Sequence, residues 1–405
     1  MPFVRSARPL VGAIALVIAA LPFIATSAQA DGPGAGSPWV VSVGDSYISG
    51  EAGRWAGSSN SSSAAADALG GTAYFDNTAN NAEQIERCHR SKSAQIAIGG
   101  GINSLNLACS GAETATDASG SYFKPGLDFY DNGAGKVGQA KALQQFAATH
   151  NVKMVNVSIG GNDFNFADVV QSCVVDFLYS PSWAKDYCND DNSVKANFTA
   201  ANVAAVKTKV ANAYLNVRTA MRNAGYADSS WTLLVQNYPS PIPNSSGYRY
   251  SQSGYSRQNT GGCGFWDNDA NWANGTALPT INNTVTGAIS QAGITNAKTL
   301  NLASAYNGRR LCETGVGLYE EVGLSSWTQS TAVDRTEWVN QIRTVTTAGS
   351  SPYYIQESLH PNYWGQLANR SCVRQAYNAG TPRSGTCVRN GNGLSSLGEP
   401  RMLLQ

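Results

Sequence analysis

A chain of 405 residues with 42% hydrophobic and only 14% charged residues is long and apolar enough to bury a substantial core, which excludes a largely disordered protein. Its formal net charge of +1 leaves no electrostatic footprint for nucleic acid or an anionic surface. Its 8 cysteines form an even set without a C-x-x-C pair, which argues against zinc or thioredoxin-like chemistry and for disulfides.

In chain order, Arg5 and Arg8 precede an apolar run over 10–24, and Ala28-Gln29-Ala30 supplies a small-residue cleavage pattern. Residues 1–30 therefore read as a signal peptide, and Pro22 with the short run favours removal over an uncleaved anchor. Residues 31–405 then form a single exported domain, in which no later segment is long and apolar enough to span a bilayer. β-rich runs at 39–43, 104–108, 152–159, 231–236 and, more weakly, 299–303 predict five strands. Stretches at 136–149, 200–223, 284–291 and 334–346 carry apolar residues at helical spacing, and 363–376 predicts a further helix. The alternation implies an α/β protein: a mostly parallel five-stranded sheet with helices on both faces and functional loops at the carboxyl ends of the strands. The segments 58–68 and 238–274 fit that plan poorly and read as long loops or insertions.

Pairing each cysteine with its nearest neighbour gives Cys88–Cys109, Cys173–Cys188, Cys263–Cys312 and Cys372–Cys387, favoured over the other connectivities only because short loops close easily.

The chemistry should follow the strands. Gly44-Asp45-Ser46-Tyr47 places a serine directly after the first one, as a nucleophile or merely as a helix cap. A serine nucleophile needs a base, and the chain offers only 3 histidines. His150 sits at the polar end of a predicted helix, and His89 follows Cys88; both suit structural roles. His360 lies in Glu357-Ser358-Leu359-His360-Pro361-Asn362, a turn stiffened by Pro361 before a helix that Asn362 can cap. Either the Glu357 carboxylate or a backbone carbonyl in the same turn can orient its imidazole. After the third strand, Gly160-Gly161-Asn162-Asp163 offers an amide donor for an oxyanion, or an Asx-turn. After the second, Leu107-Ala108-Cys109-Ser110-Gly111-Ala112 offers the Gly111 N–H.

These four segments, in this order, resemble the blocks of the SGNH or GDSL-type hydrolases, with Ser46, Gly111, Asn162 and His360 at the four named positions. The exported, disulfide-bearing branch is the nearest match, because Cys88-His89-Arg90-Ser91 with Ala108-Cys109-Ser110-Gly111-Ala112 looks like the bridged segment of actinobacterial SGNH lipases and phospholipases. The resemblance implies the three-layer α/β/α fold of that family and a Cys88–Cys109 bridge. It further implies Ser46 as nucleophile, His360 as base, and Ser46 N–H, Gly111 N–H and the Asn162 side chain as oxyanion hole, with Asp45 structural. The chain departs from the family at Glu357, where Asp is usual, and at Tyr47, where Leu is usual.

The implied activity is hydrolysis of carboxyl esters without metal or cofactor, most naturally of lipid esters, as an esterase, lipase or phospholipase of A/B type. A carbohydrate acetylesterase or aromatic-acid (feruloyl-type) esterase is the alternative enzyme, and a secreted binding module with aromatic loops such as 248–266 is the alternative outside catalysis. An extracellular monomer that meets an ester substrate and neither binds nucleic acid nor inserts stably in a membrane is expected. The phosphate-loop-like Gly133-Ala134-Gly135-Lys136 lacks the starting Gly and the Ser or Thr such a loop requires, and no G-x-S-x-G or H-E-x-x-H motif occurs.

Overall fold

Trp39-Val40-Val41-Ser42-Val43 extends because β-branched side chains pack well on a pleated surface. It forms β1 (Pro38–Gly44) in a computed structural model that describes residues 33–344 and 353–405. The expected signal peptide, residues 1–30, lies outside the described residues. Along β1 the side chains alternate: Val40 joins one apolar cluster with Met154 and Leu234, while Val41 and Val43 join a second with Val155, Leu233 and Val235. A sheet that is apolar on both faces must be covered on both.

The other strands are β2 (Asn103–Asn106), β3 (Asn151–Ser158), β4 (Thr232–Gln236), β5 (Ala297–Asn301), β6 (Gly385–Leu394) and β7 (Pro400–Leu404). They lie in the order β2-β1-β3-β4-β5-β6-β7, parallel through β6, with β7 antiparallel at the edge. Each of the five expected strands is present within a few residues, but the count of five is corrected to seven. The C-terminal hairpin went unread because β6 carries Arg389, Asn390, Gly391 and Asn392 in place of an apolar run.

The helices are α1 (Ser46–Ser49), α2 (Gln139–Ala147), α3 (Phe166–Tyr179), α4 (Ala200–Asn223), α5 (Leu278–Ala292) and α6 (Tyr363–Tyr377), with shorter turns between them. Leu143 of α2, Val210 and Tyr214 of α4 and Val285 of α5 cover one face; Leu367 and Val373 of α6, with Val169 and Val174 of α3, belong to the other cluster. The result is the expected α/β architecture in three layers. Among the described residues no helix is long and apolar enough to cross a membrane.

The helix expected over 334–346 is corrected. Only a turn at Ala332–Arg335 forms, and residues 345 and 346 lie outside the described residues. Trp338, Val339 and Ile342 have helical spacing, but their backbone is used at long range. Trp338 N donates to Arg309 O (2.8 Å), Val339 bridges Pro361, and Ile342 N donates to Gly262 O (2.7 Å). The segments 58–68 and 238–274 are irregular apart from short turns such as Ser63–Ala66, Ser256–Asn259 and Asp267–Trp272.

All four bridges pair as neighbours: Cys88–Cys109, Cys173–Cys188, Cys263–Cys312 and Cys372–Cys387. The last ties α6 to β6, so the helix that follows His360 is fastened to the sheet edge.

Candidate active site

β1 and β3 pair, with one register shift between Trp39 and Val40, until Gly44 stands opposite Ser158, and there the chain must leave the sheet sharply. Gly44 has φ +132°, and a Cβ at that position would lie 1.8 Å from Ser158 O, so only glycine fits the exit. Gln139 holds the exit from the other side: its Oε1 accepts from Gly44 N (2.6 Å) and its Nε2 donates to Gly44 O (2.9 Å). Asp45 N donates to Ser158 O (2.9 Å), and Asp45 Oδ1 then caps α1 by accepting from Tyr47 N (3.1 Å). Ser46 is thereby the first residue of α1, at the carboxyl end of the sheet, where its N–H has no acceptor within the helix.

His360 reaches Ser46 from the other end of the sequence. Its Nε2 lies 2.7 Å from Ser46 Oγ, and its Nδ1 lies 2.9 Å from Ser358 O. A carbonyl only accepts, so Nδ1 carries the proton, Nε2 is the acceptor, and the Ser46 hydroxyl donates to it. The seat of the ring is built by the same long-range pairing that displaced the expected helix. Asn340 N donates to His360 O (3.0 Å), Leu359 N donates to Asn340 O (3.1 Å), and Tyr47 OH donates to Leu359 O (2.9 Å). Leu359 sits at φ +61°, a conformation that side chains other than glycine adopt only when the surroundings impose it. Desolvation by the surrounding protein lowers the His360 pKa, opposed mainly by the charge of Glu51, and this favours the neutral imidazole.

Glu357 does not orient the imidazole. Its carboxylate, only 1% exposed, accepts from Trp55 Nε1 (2.8 Å), Tyr354 N (2.9 Å) and Tyr74 OH, and the partner of His360 Nδ1 is the Ser358 carbonyl. Of the two orienting groups the sequence leaves open, the Glu357 carboxylate and a backbone carbonyl of the same turn, it is the carbonyl, that of Ser358, that lies against Nδ1. Burial, with the charge of Glu51, pushes the Glu357 carboxyl up to about 7 against its hydrogen bonds.

The two other blocks meet beside each other. Asn162 Nδ2 donates to Ala112 O (2.8 Å), which leaves the second N–H of that amide uncommitted. Gly111, the residue before Ala112, is exposed at φ +79°, and its N–H has no acceptor among the described residues. Tyr238 joins these blocks to the serine: its hydroxyl accepts from Gly161 N (2.9 Å) and donates to Asp45 Oδ2. Burial pushes the Asp45 carboxyl up to about 7, against the Tyr238 and Tyr47 hydrogen bonds that lower it.

Tyr238, Tyr47 and the buried Glu51–His89 pair were not read as site residues from the sequence. The only signals were a carboxylate five positions after the serine and the scarcity of histidines. A broad surface depression lined by Arg222, Tyr226, Asp228 and Asn296 adjoins the segments that enter β4 and β5, opposite the carboxyl ends that carry Ser46.

The fold and the site together define an α/β protein with a serine–histidine dyad at the carboxyl edge of a parallel sheet. No protein-family model and no curated protein matches the chain. Among solved structures it is similar to phospholipase A1 from Streptomyces albidoflavus NA297, at TM-score 0.48 and 18% identity over 84% of this chain and 99% of that one. It is also similar to an extracellular lipase from Streptomyces rimosus, at TM-score 0.43 and 17% identity over 85% and 100%. A third similarity is to a family two carbohydrate esterase from Clostridium thermocellum, at TM-score 0.35 and 12% identity over 84% and 64%.

Proposed function

We propose that the protein is a secreted carboxyl-ester hydrolase of the SGNH type that acts through Ser46 and His360 on ester lipids. The observation that carries this reading is the 2.7 Å contact between Ser46 Oγ and an imidazole whose other nitrogen is fixed on the Ser358 carbonyl. Ser46 Oγ attacks the acyl carbon while its proton passes to His360 Nε2. The N–H groups of Ser46 and Gly111 and the free N–H of Asn162 stabilise the oxyanion. The C–O bond to the alcohol then breaks as His360 returns the proton to the leaving oxygen. Water, deprotonated by His360, then attacks the acyl carbon; the bond to Ser46 Oγ breaks as His360 returns that proton to Oγ, and the acid leaves.

The preference for lipid rests on the bridged Cys88–Cys109 segment and the sequence blocks around it. Four disulfides suit an oxidising compartment and support export. The test is acid release from short aryl esters, phosphatidylcholine, triglyceride and acetylated xylan, with Ser46→Ala beside the wild type. Fatty-acid release that falls by about three orders of magnitude or more in Ser46→Ala is expected, with Asn162→Ala losing about 10²-fold in kcat. Release of acetate or aromatic acid alone would refute the lipid assignment. Silence across the panel would refute the enzyme.

A further inference from the structure

When His360 takes the Ser46 proton, the imidazolium has a carbonyl dipole beside it and, among the described residues, no carboxylate in contact. A carboxylate nevertheless stands in the same seat. Glu51 follows Gly50, the C-cap of α1, and is 0% exposed. Its backbone N donates to Ser46 O (3.3 Å), which fastens it to the helix of the nucleophile. Its Oε2 accepts from Gln356 Nε2 (3.2 Å), in the turn Ile355–Glu357 that leads through Ser358 to His360. Its Oε1 meets His89 Nδ1 at 2.8 Å. His89, 2% exposed, is itself held by the Cys88–Cys109 bridge next to it and by stacking on Tyr74 with 4.3 Å between ring centroids.

We propose that Glu51 is a positioning residue: its buried negative charge, tied to both halves of the dyad, favours the protonated form of His360 as the transition state develops, and His89 is the counter-ion that keeps Glu51 ionised. This rests on the dyad reading above. The charged and titratable groups around the pair are His89, Glu83 beyond it (3.5 Å from His89 Nε2), Tyr74, Glu357, Lys124 and His360. Burial pushes the Glu51 carboxyl up, but the charge and hydrogen bond of His89, with His360 and Ser110, outweigh it and hold the group at about 2. The same field acts in reverse on His360, where Glu51 is the largest influence opposing desolvation.

The test is an NMR titration of the His360 imidazole in the full mature chain carrying Ser46→Ala, with its signal identified by His360→Gln among 3 histidines. Adding Glu51→Gln should lower the His360 midpoint by about one pH unit, while Glu51→Asp should restore it. An unmoved midpoint in a folded Glu51→Gln protein overturns the proposal. Should Glu51→Gln fail to fold, Gln356→Ala, at a partly exposed position, removes the tether to Glu51 together with the amide's contacts to His89 Nδ1 (3.1 Å) and Arg87 (3.5 Å); kcat should fall about fivefold with KM unchanged, and an unchanged kcat overturns the proposal. The titration needs no substrate, so it stands or falls separately from the ester-hydrolase reading.

Discussion

Glu51 and Glu357 are both sealed from solvent, and both belong to the surroundings of the same histidine loop, yet their acidities are shifted in opposite directions. Glu51 faces an imidazole that can carry charge, and His89 holds it ionised at about 2. Glu357 faces an indole, a phenol and a peptide N–H, all neutral, and burial with the nearby Glu51 charge pushes it up to about 7. Burial alone therefore does not decide the charge of a carboxyl. What decides is whether a partner that can become a cation stands within hydrogen-bond reach. A neutral lining suits a carboxyl that organises a turn, and a charged one suits a group whose field is felt by its neighbours.

The sharpest way to break this contrast is Glu51→Gln. The folded carboxyl is held below its ordinary 4.5, so its contribution is fully present above about pH 4.5 and is lost as pH falls through about 2. The variant should be less stable by about 3 kcal/mol near pH 7, with the gap narrowing in acid; urea midpoints measured across this range would check it. Glu357→Gln tests the opposite sign. There the folded value lies above 4.5, so stabilisation is fully present below pH 4.5 and is lost as pH rises through about 7. The wild type should lose up to about 3 kcal/mol over that interval and the variant should not; parallel pH profiles would remove the contrast. The smallest effect is kinetic: kcat of Glu357→Gln should stay within about threefold of wild type, whereas loss of a triad carboxylate costs about 10⁴-fold.

Much of this arrangement was legible in the sequence where a local pattern decides it. β1 and β3 to β5 announce themselves as β-rich runs between turn residues, and α4 is a long amphipathic stretch with a Thr199 cap. Ser46 and His360 were legible because a strand end and a proline-stiffened turn restrict where each can point. The rest depends on long-range partners. Trp338, Val339 and Ile342 have the spacing of a helix, but they pair with Arg309, Pro361 and Gly262, far off in the chain. Glu357 has the spacing of a triad carboxylate, but Leu359 at positive φ brings the Ser358 carbonyl to the ring instead. No local pattern foretells a leucine in that conformation. Nor does any foretell that Glu51 and His89, 38 positions apart, form a buried pair.

Ser46 arrives with the first strand and His360 just before the last long helix, 314 positions later. No contiguous fragment shorter than residues 46–360 holds both side chains. A chain divided in an exposed surface loop, such as the one around Gly133, would yield two pieces that are each inert. Ser46 and His360 would meet again only on the reunion of the pieces, so under the proposed function the molecule carries within it the parts of a complementation sensor that reads its own assembly.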